Sequence, residues 1–129
     1  MTAVSSEISE QIALKSEYGQ AVCESIAQYL DKLGFSSEIE LKRPVFAAAE
    51  FDLITDPFTQ SRDLVGFWYD ANRLRIGQIK FNCEGGFYAE FDVVQPHPSK
   101  KHWFVEAINA WGKPDNIRVD AKLLEIPRS

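Results

Sequence analysis

Hydrophobic positions along the chain change period several times, and each change predicts an element. From about Ser6 to Leu33 the apolar residues Ile8, Ile12, Tyr18, Val22, Ile26, Tyr29, Leu30 and Leu33 recur mostly at intervals of three and four. That spacing lines one face of an amphipathic helix of roughly seven turns. The other face carries Glu7, Glu10, Glu17, Glu24 and Asp31. Gly19 sits inside this helix at a cost of ~1 kcal/mol relative to Ala, and marks either a close contact or a bend. Gly34 suits the left-handed position that ends a helix.

The period then shortens to two, which is that of a half-buried strand. Ile39 and Leu41 alternate with Glu38, Glu40 and Lys42 over 37–43, and Pro44 ends the run. A second strand is predicted over Val45 to Thr55, on Phe51, Leu53 and Ile54, although Phe46-Ala47-Ala48-Ala49 is weak β material. Asp56-Pro57 opens a loop. Leu64 to Tyr69 reads as a third strand, Asp70 to Arg73 as a hairpin loop, and Leu74 to Asn82 as a fourth strand. The alternation slips by one residue at Gly77, which predicts a β-bulge there.

The stretch from Gly85 to Gly112 organises the rest. Phe87, Ala89, Phe91 and Val93 alternate with Tyr88, Glu90, Asp92 and Val94, giving a fifth strand with one apolar and one polar face. Gln95-Pro96-His97-Pro98 ends it, because proline has no N–H to extend a ladder. Ser99 is then a plausible N-cap. Phe104, Ala107, Ile108 and Trp111 fall at helical spacing, which predicts a second helix over about 100–111 with Trp111 as a core anchor. Gly112 and Pro114 would end it. Ile117 to Ile126 alternates as a last strand.

The predicted order is α-β-β-β-β-β-α-β. Short connections make the sheet of five to six strands mostly antiparallel. Two helices on one face give an α+β two-layer sandwich. At 129 residues the chain fits a single domain, 1–129, with residues 1–5 expected to fray. The hydrophobic share of 45% supports a core and excludes the composition of a disordered chain.

Charge narrows the partners. A formal net charge of −5, with no basic cluster beyond Lys100-Lys101, argues against nucleic acid and anionic membranes, which attract basic patches. No apolar run approaches the ~18 to 20 residues that span a bilayer. The first residues lack the basic and apolar segments of a signal peptide. A cytoplasmic protein is expected, with Cys23 and Cys83 reduced. Two cysteines form neither a disulfide framework nor a metal-ligand set.

Several groups are candidates for chemistry. Glu50 with Asp52, and Glu90 with Asp92, each share a strand face, and Ala-Glu-Phe-Asp occurs at both 49–52 and 89–92. Four converging carboxylates could hold a hard cation or shift a pKa for acid–base work; charges on a solvated sheet face are the plainer reading. Histidine is the common acid–base residue type, and His97 sits rigidly between two prolines, but it has no metal-ligand spacing to His102 and equally suits a role bonding backbone at the corner. Cys83 has no neighbouring base to make it a nucleophile. No phosphate-loop, dinucleotide, serine-hydrolase or zinc-protease motif occurs, and no cofactor or metal is expected.

The aromatic residues exceed what one strand face and one helix stripe would hide. Rings beside carboxylates suit an interface. The favoured reading is a small acidic protein-interaction module: an adaptor, a chaperone-like protein or an inhibitor of a basic partner. Trp68, Tyr88, Glu90, Asp92 and His97 are its candidate binding residues, for a protein partner or self-association. The alternative is a small-molecule binding domain with a pocket between sheet and helices. An enzyme using His97 with Glu90 or Asp92 is least favoured.

Overall fold

The structure is a computed structural model that describes residues 3–35, 43–82 and 84–127. It has a mixed α+β fold with one six-stranded antiparallel sheet. Helix α1 spans Ala3–Leu33. A 3₁₀ turn at Phe46–Ala48 leads into β1 (Glu50–Thr55), β2 (Arg62–Tyr69), β3 (Arg75–Phe81), β4 (Phe87–Pro96), β5 (Trp103–Lys113) and β6 (Asn116–Glu125). Each strand pairs with its neighbours in sequence, so the sheet is a simple meander in the order β1 to β6. Of the strand expected over 37–43, residues 37–42 lie outside the described residues, as does Cys83, and Arg43 is not in a strand.

The helical stripe read from the sequence is the one α1 buries. Val22, Ile26 and Leu30 have no exposure, and Cys23 has almost none. They share one core cluster with Leu64, Trp68, Ile79, Phe81, Phe87, Ala89, Phe91, Val93, Val105, Ile108 and Ala110. Removing these side chains from water is the main stabilising term, at ~1.5 to 3 kcal/mol for each large one. α1 touches both edge strands, β1 and β6, as well as β2 and β5. All the clustered strand residues lie on one face, here called the inner face.

Two expectations fail, one for a helix and one for the start of a strand. The second helix over 100–111 does not form; these residues build most of β5. The cause is a bulge. Partners step from Val105↔Leu123 to Ala107↔Lys122, so Glu106 is an extra residue in β5. The extra residue puts Val105 and Ile108, three apart, on the same inner face, and neither is exposed. A bulged strand thus imitates helical spacing, while the Trp, Phe, Val and Ile of this stretch favour a pleated surface. Gly112 lies within β5 beside the Pro114-Asp115 turn of a β-hairpin and ends no helix: it pairs with Ile117, its φ is +127°, and a Cβ there would run into the carbonyl oxygen of Asn116. Trp111 consequently leaves the core and lies on the outer face, 39% exposed.

The other failure is smaller. Residues 46–48 form the 3₁₀ turn and not the first part of a strand, so β1 is limited to Glu50–Thr55. Phe46 turns inward beneath the helix instead. At Gly77 the sequence reading agrees with the structure. Partners pass from Trp68↔Gly77 to Tyr69↔Arg75, leaving Ile76 as the extra residue. A Cβ on Gly77 would sit 2.5 Å from the Glu90 carbonyl oxygen.

Candidate functional site: the outer face of the sheet

Strand alternation fixes which side chains leave the core. On β4, Phe87, Ala89, Phe91 and Val93 are buried, and Tyr88, Glu90 and Asp92 point the other way. Registers extend this face across neighbouring strands. One row runs Lys80–Tyr88–Trp111–Arg118, and the next runs Gln78–Glu90–Asn109–Asp120. A third joins Asp92, Ala107 and Lys122. Val65 and Ala107 on this face are buried, and at the β6 edge the Tyr29 hydroxyl of α1 reaches the Asp120 carboxylate at 3.3 Å. Tyr88 is 43% exposed and Leu124 47%.

Of the residues singled out in the sequence, Tyr88, Glu90 and Asp92 lie together here. Trp68 does not. It is an inner-face residue, 4% exposed, with Nε1–H donating to the Val45 carbonyl oxygen at 2.9 Å. Its neighbours Phe67 and Tyr69 take the outer face, because adjacent strand residues point to opposite sides. His97 is also separate. It lies beyond the end of β4 and uses Nδ1 to accept the N–H groups of Ser99 (3.1 Å) and Lys100 (3.0 Å). Its own N–H donates to the Trp103 carbonyl at 2.9 Å. Five residues of chain, at most about 16 Å at ~3.3 Å each and bulged at Val94, separate it from Asp92. The histidine thus bonds backbone at the corner, and its hydrogen bonds go to Ser99, Lys100 and Trp103, not to either carboxylate.

The four strand carboxylates likewise do not converge. β1 and β4 are three strand spacings apart, about 14 Å at ~4.8 Å each. Glu50 is engaged by Arg73, whose guanidinium holds its carboxyl below the usual value. Among the described residues no set of three His, Cys, Asp or Glu side chains is placed to hold a metal.

The chemistry of the face lies instead in Glu90 and its surroundings. Partial burial pushes the Glu90 carboxyl up; the hydrogen bond to Asp92 and the charges of Asp92 and Glu106 push the same way, while Lys122 opposes them. Lys122 itself pairs with Glu106 at 3.2 Å. Tyr88 is raised first by burial, then by the charge of Glu90. Its hydroxyl donates to Asn109 Oδ1 at 3.3 Å.

The sequence reading missed Trp111, Asn109, Glu106 and Lys122 as members of this surface. The first three were assigned to a helix, where Trp111 would face the core. The signal that could have placed them was the period-two run Ala107, Asn109, Trp111.

Cavities lie elsewhere. Among the described residues, a groove of about 550 Å³ runs along α1, lined by Cys23, Ala27, Pro44, Val45 and Phe46 with Glu17 and Glu24 at its margin. A smaller, mainly polar cavity of about 270 Å³ opens between α1 and the sheet, lined by Gln11, Lys15, Arg62, Leu64, Phe81 and Asn82. Burial raises the Cys23 thiol to about 12, so it is no nucleophile at neutral pH.

No protein-family model, curated protein or solved structure matches the chain.

Proposed function

We propose that the chain is a protein-interaction module that binds through the outer face of its sheet. The observation that carries this reading is the Tyr88–Trp111 pair. Two large rings stand opposite each other in solvent, between Lys80 and Arg118 and beside a row of carboxylates. Rings bury much area at low entropy cost, while surrounding charges set specificity. Phe104 and Leu124, also opposite each other, extend the apolar content toward the far end of the face.

In this reading helix and sheet form two layers, and the partner supplies a third. Association at the strand edges is disfavoured, since Asp52 and Asp120 each accept the N–H of the residue that follows, at 2.8 Å, on the two edge strands. No helix among the described residues is long and apolar enough to cross a membrane, and a cytoplasmic adaptor, chaperone-like protein or inhibitor is the proposed role. The partner is another protein or a second copy, with no nucleic acid and no cofactor.

A photo-crosslinking residue tests it. Placed at Trp111 it should capture a protein band or a dimer in cells, whereas the same residue at Glu10, on the solvent side of α1, should not. Equal capture at both positions, or none at 111 in a chain that remains folded by circular dichroism, sinks the reading.

A further inference from the structure

We infer that the occupant of this face is a protein segment carrying a Lys or Arg flanked by apolar side chains, its cation seated on Glu90 and Asp92. The inference rests on the reading of the outer face as a binding surface and adds the chemistry of the partner.

Charge is distributed unevenly over the face. In the half built by β1 to β3 most carboxylates have cations in contact, Asp52 being the exception, bonded only to the Leu53 N–H. Glu50 is held by Arg73, and Lys80 lies 3.6 Å from Asp63 and 3.9 Å from Asp56. The half built by β4 to β6 groups Glu90, Asp92 and Glu106 around Lys122, and that lysine is bonded to Glu106. Among the described residues no Lys or Arg lies within salt-bridge distance of Glu90 or Asp92. These two carboxyl groups stand two residues apart on the same face of β4, Asp92 pushes the Glu90 carboxyl up, and the two repel when both are ionised. An incoming ammonium or guanidinium relieves that repulsion, whereas an incoming carboxylate adds to it.

The apolar neighbours specify the rest. Tyr88 lies two residues from Glu90 on the same face, about 7 Å along the strand, with Trp111 directly opposite. A cation reaching Glu90 therefore passes beside exposed ring faces, which attract it. Past Asp92, Val94, Phe104 and Leu124 present apolar surface again; Val94 is 59% exposed and Leu124 47%. The order along the face is rings, carboxylates, apolar side chains, and the complementary partner is apolar, basic, apolar. The chain's net charge of −5 adds long-range attraction for such a segment.

The test uses the full chain and two synthetic peptides, one alternating Leu with Lys and one alternating Leu with Glu, followed by NMR chemical-shift mapping. The Leu-Lys peptide should shift Tyr88, Glu90, Asp92, Asn109 and Trp111. Its affinity should fall at least about tenfold in Glu90→Gln/Asp92→Asn. It should hold in Glu10→Gln/Glu17→Gln, which removes the same charge from α1. If the shifts map to the outer face but the Leu-Glu peptide binds as well, or both double variants weaken binding equally, the cationic partner is overturned and the open-face reading survives. If the Leu-Lys peptide does not bind, or binds elsewhere, this inference is overturned, and crosslinking at Trp111 decides the broader one separately.

Discussion

The backbone of α1 at Gly19 lies directly against the ring of Phe46. A Cβ built on Gly19 would overlap that ring. The ring cannot retreat, because it is buried and packs on Phe51 at 4.9 Å and on Phe81 at 6.2 Å between centroids. The glycine that weakens the helix by ~1 kcal/mol is thus what lets the 3₁₀ turn tuck beneath it. Gly19→Ala gains helix propensity but overpacks the site, and overpacking costs ~1 to 3 kcal/mol. We expect the variant to be less stable by urea melting. A neutral or positive change would show that the helix and turn separate easily.

Trp68 and Trp111 should respond in opposite ways to truncation. Trp68 is buried, packs edge-on against Phe91 at 6.3 Å, and ties the chain before β1 to the sheet through its indole hydrogen bond. Trp68→Ala should lose ~3 to 5 kcal/mol. Trp111 is 39% exposed on the outer face, and Trp111→Ala should lose under ~1 kcal/mol. Denaturant melts of the two variants check this. Comparable losses would contradict the sidedness of β5.

That sidedness is where sequence reasoning and structure part. The long helix, the β2–β3 hairpin, the bulge at Gly77 and the apolar face of β4 were all legible, since each rests on an uninterrupted period or on a residue with one conformational use. β5 was not. Its extra residue at Glu106 shifts the period by one, and a shifted period-two pattern contains the i, i+3 pairs of a helix. Gly112 and Pro114 then supported the wrong element, because a hairpin and a helix end use the same residues. The error carried into the candidate site: with 100–111 taken as a helix, Trp111 belonged to the core. Trp68 failed for a different reason. Three successive aromatics must divide between two faces, and only the pairing of β2 with β3 decides which ring goes inward.

Glu90 should make stability depend on pH in a definite direction. Its folded-state carboxyl is raised above the usual value, first by burial and then by Asp92. A raised carboxyl favours the protonated folded state. Its contribution is therefore fully present below the ordinary unfolded value of ~4.3, and is lost as pH rises through the folded value. Glu90→Gln mimics the protonated form at every pH. It should melt higher than the unaltered chain at pH 7, with the gap closing as pH falls toward 4. A gap that is absent at neutral pH, or constant across the range, would mean that the Glu90–Asp92 contact does not strain the sheet.

The two edge strands carry matching protection. Asp120 Oδ1 accepts the N–H of Ala121, and the Tyr29 hydroxyl of α1 reaches the same oxygen at 3.3 Å. Asp52 Oδ1 accepts the N–H of Leu53 in the same way on β1. Along a strand the N–H groups alternate between neighbours, and those turned past an edge are open to any incoming strand. A donor held by a carboxylate of its own strand is withdrawn from that pairing, and the charge repels a second copy bearing the same residue. Asp52→Ala/Asp120→Ala should therefore self-associate more than the unaltered chain at equal concentration, seen as a rising sedimentation coefficient. Asp52→Asn/Asp120→Asn loses the same charge but keeps an acceptor oxygen, and should sediment close to the unaltered chain. If both double variants associate alike, charge alone guards the edges; if neither does, the carboxylate bonds at 52 and 120 are incidental to them.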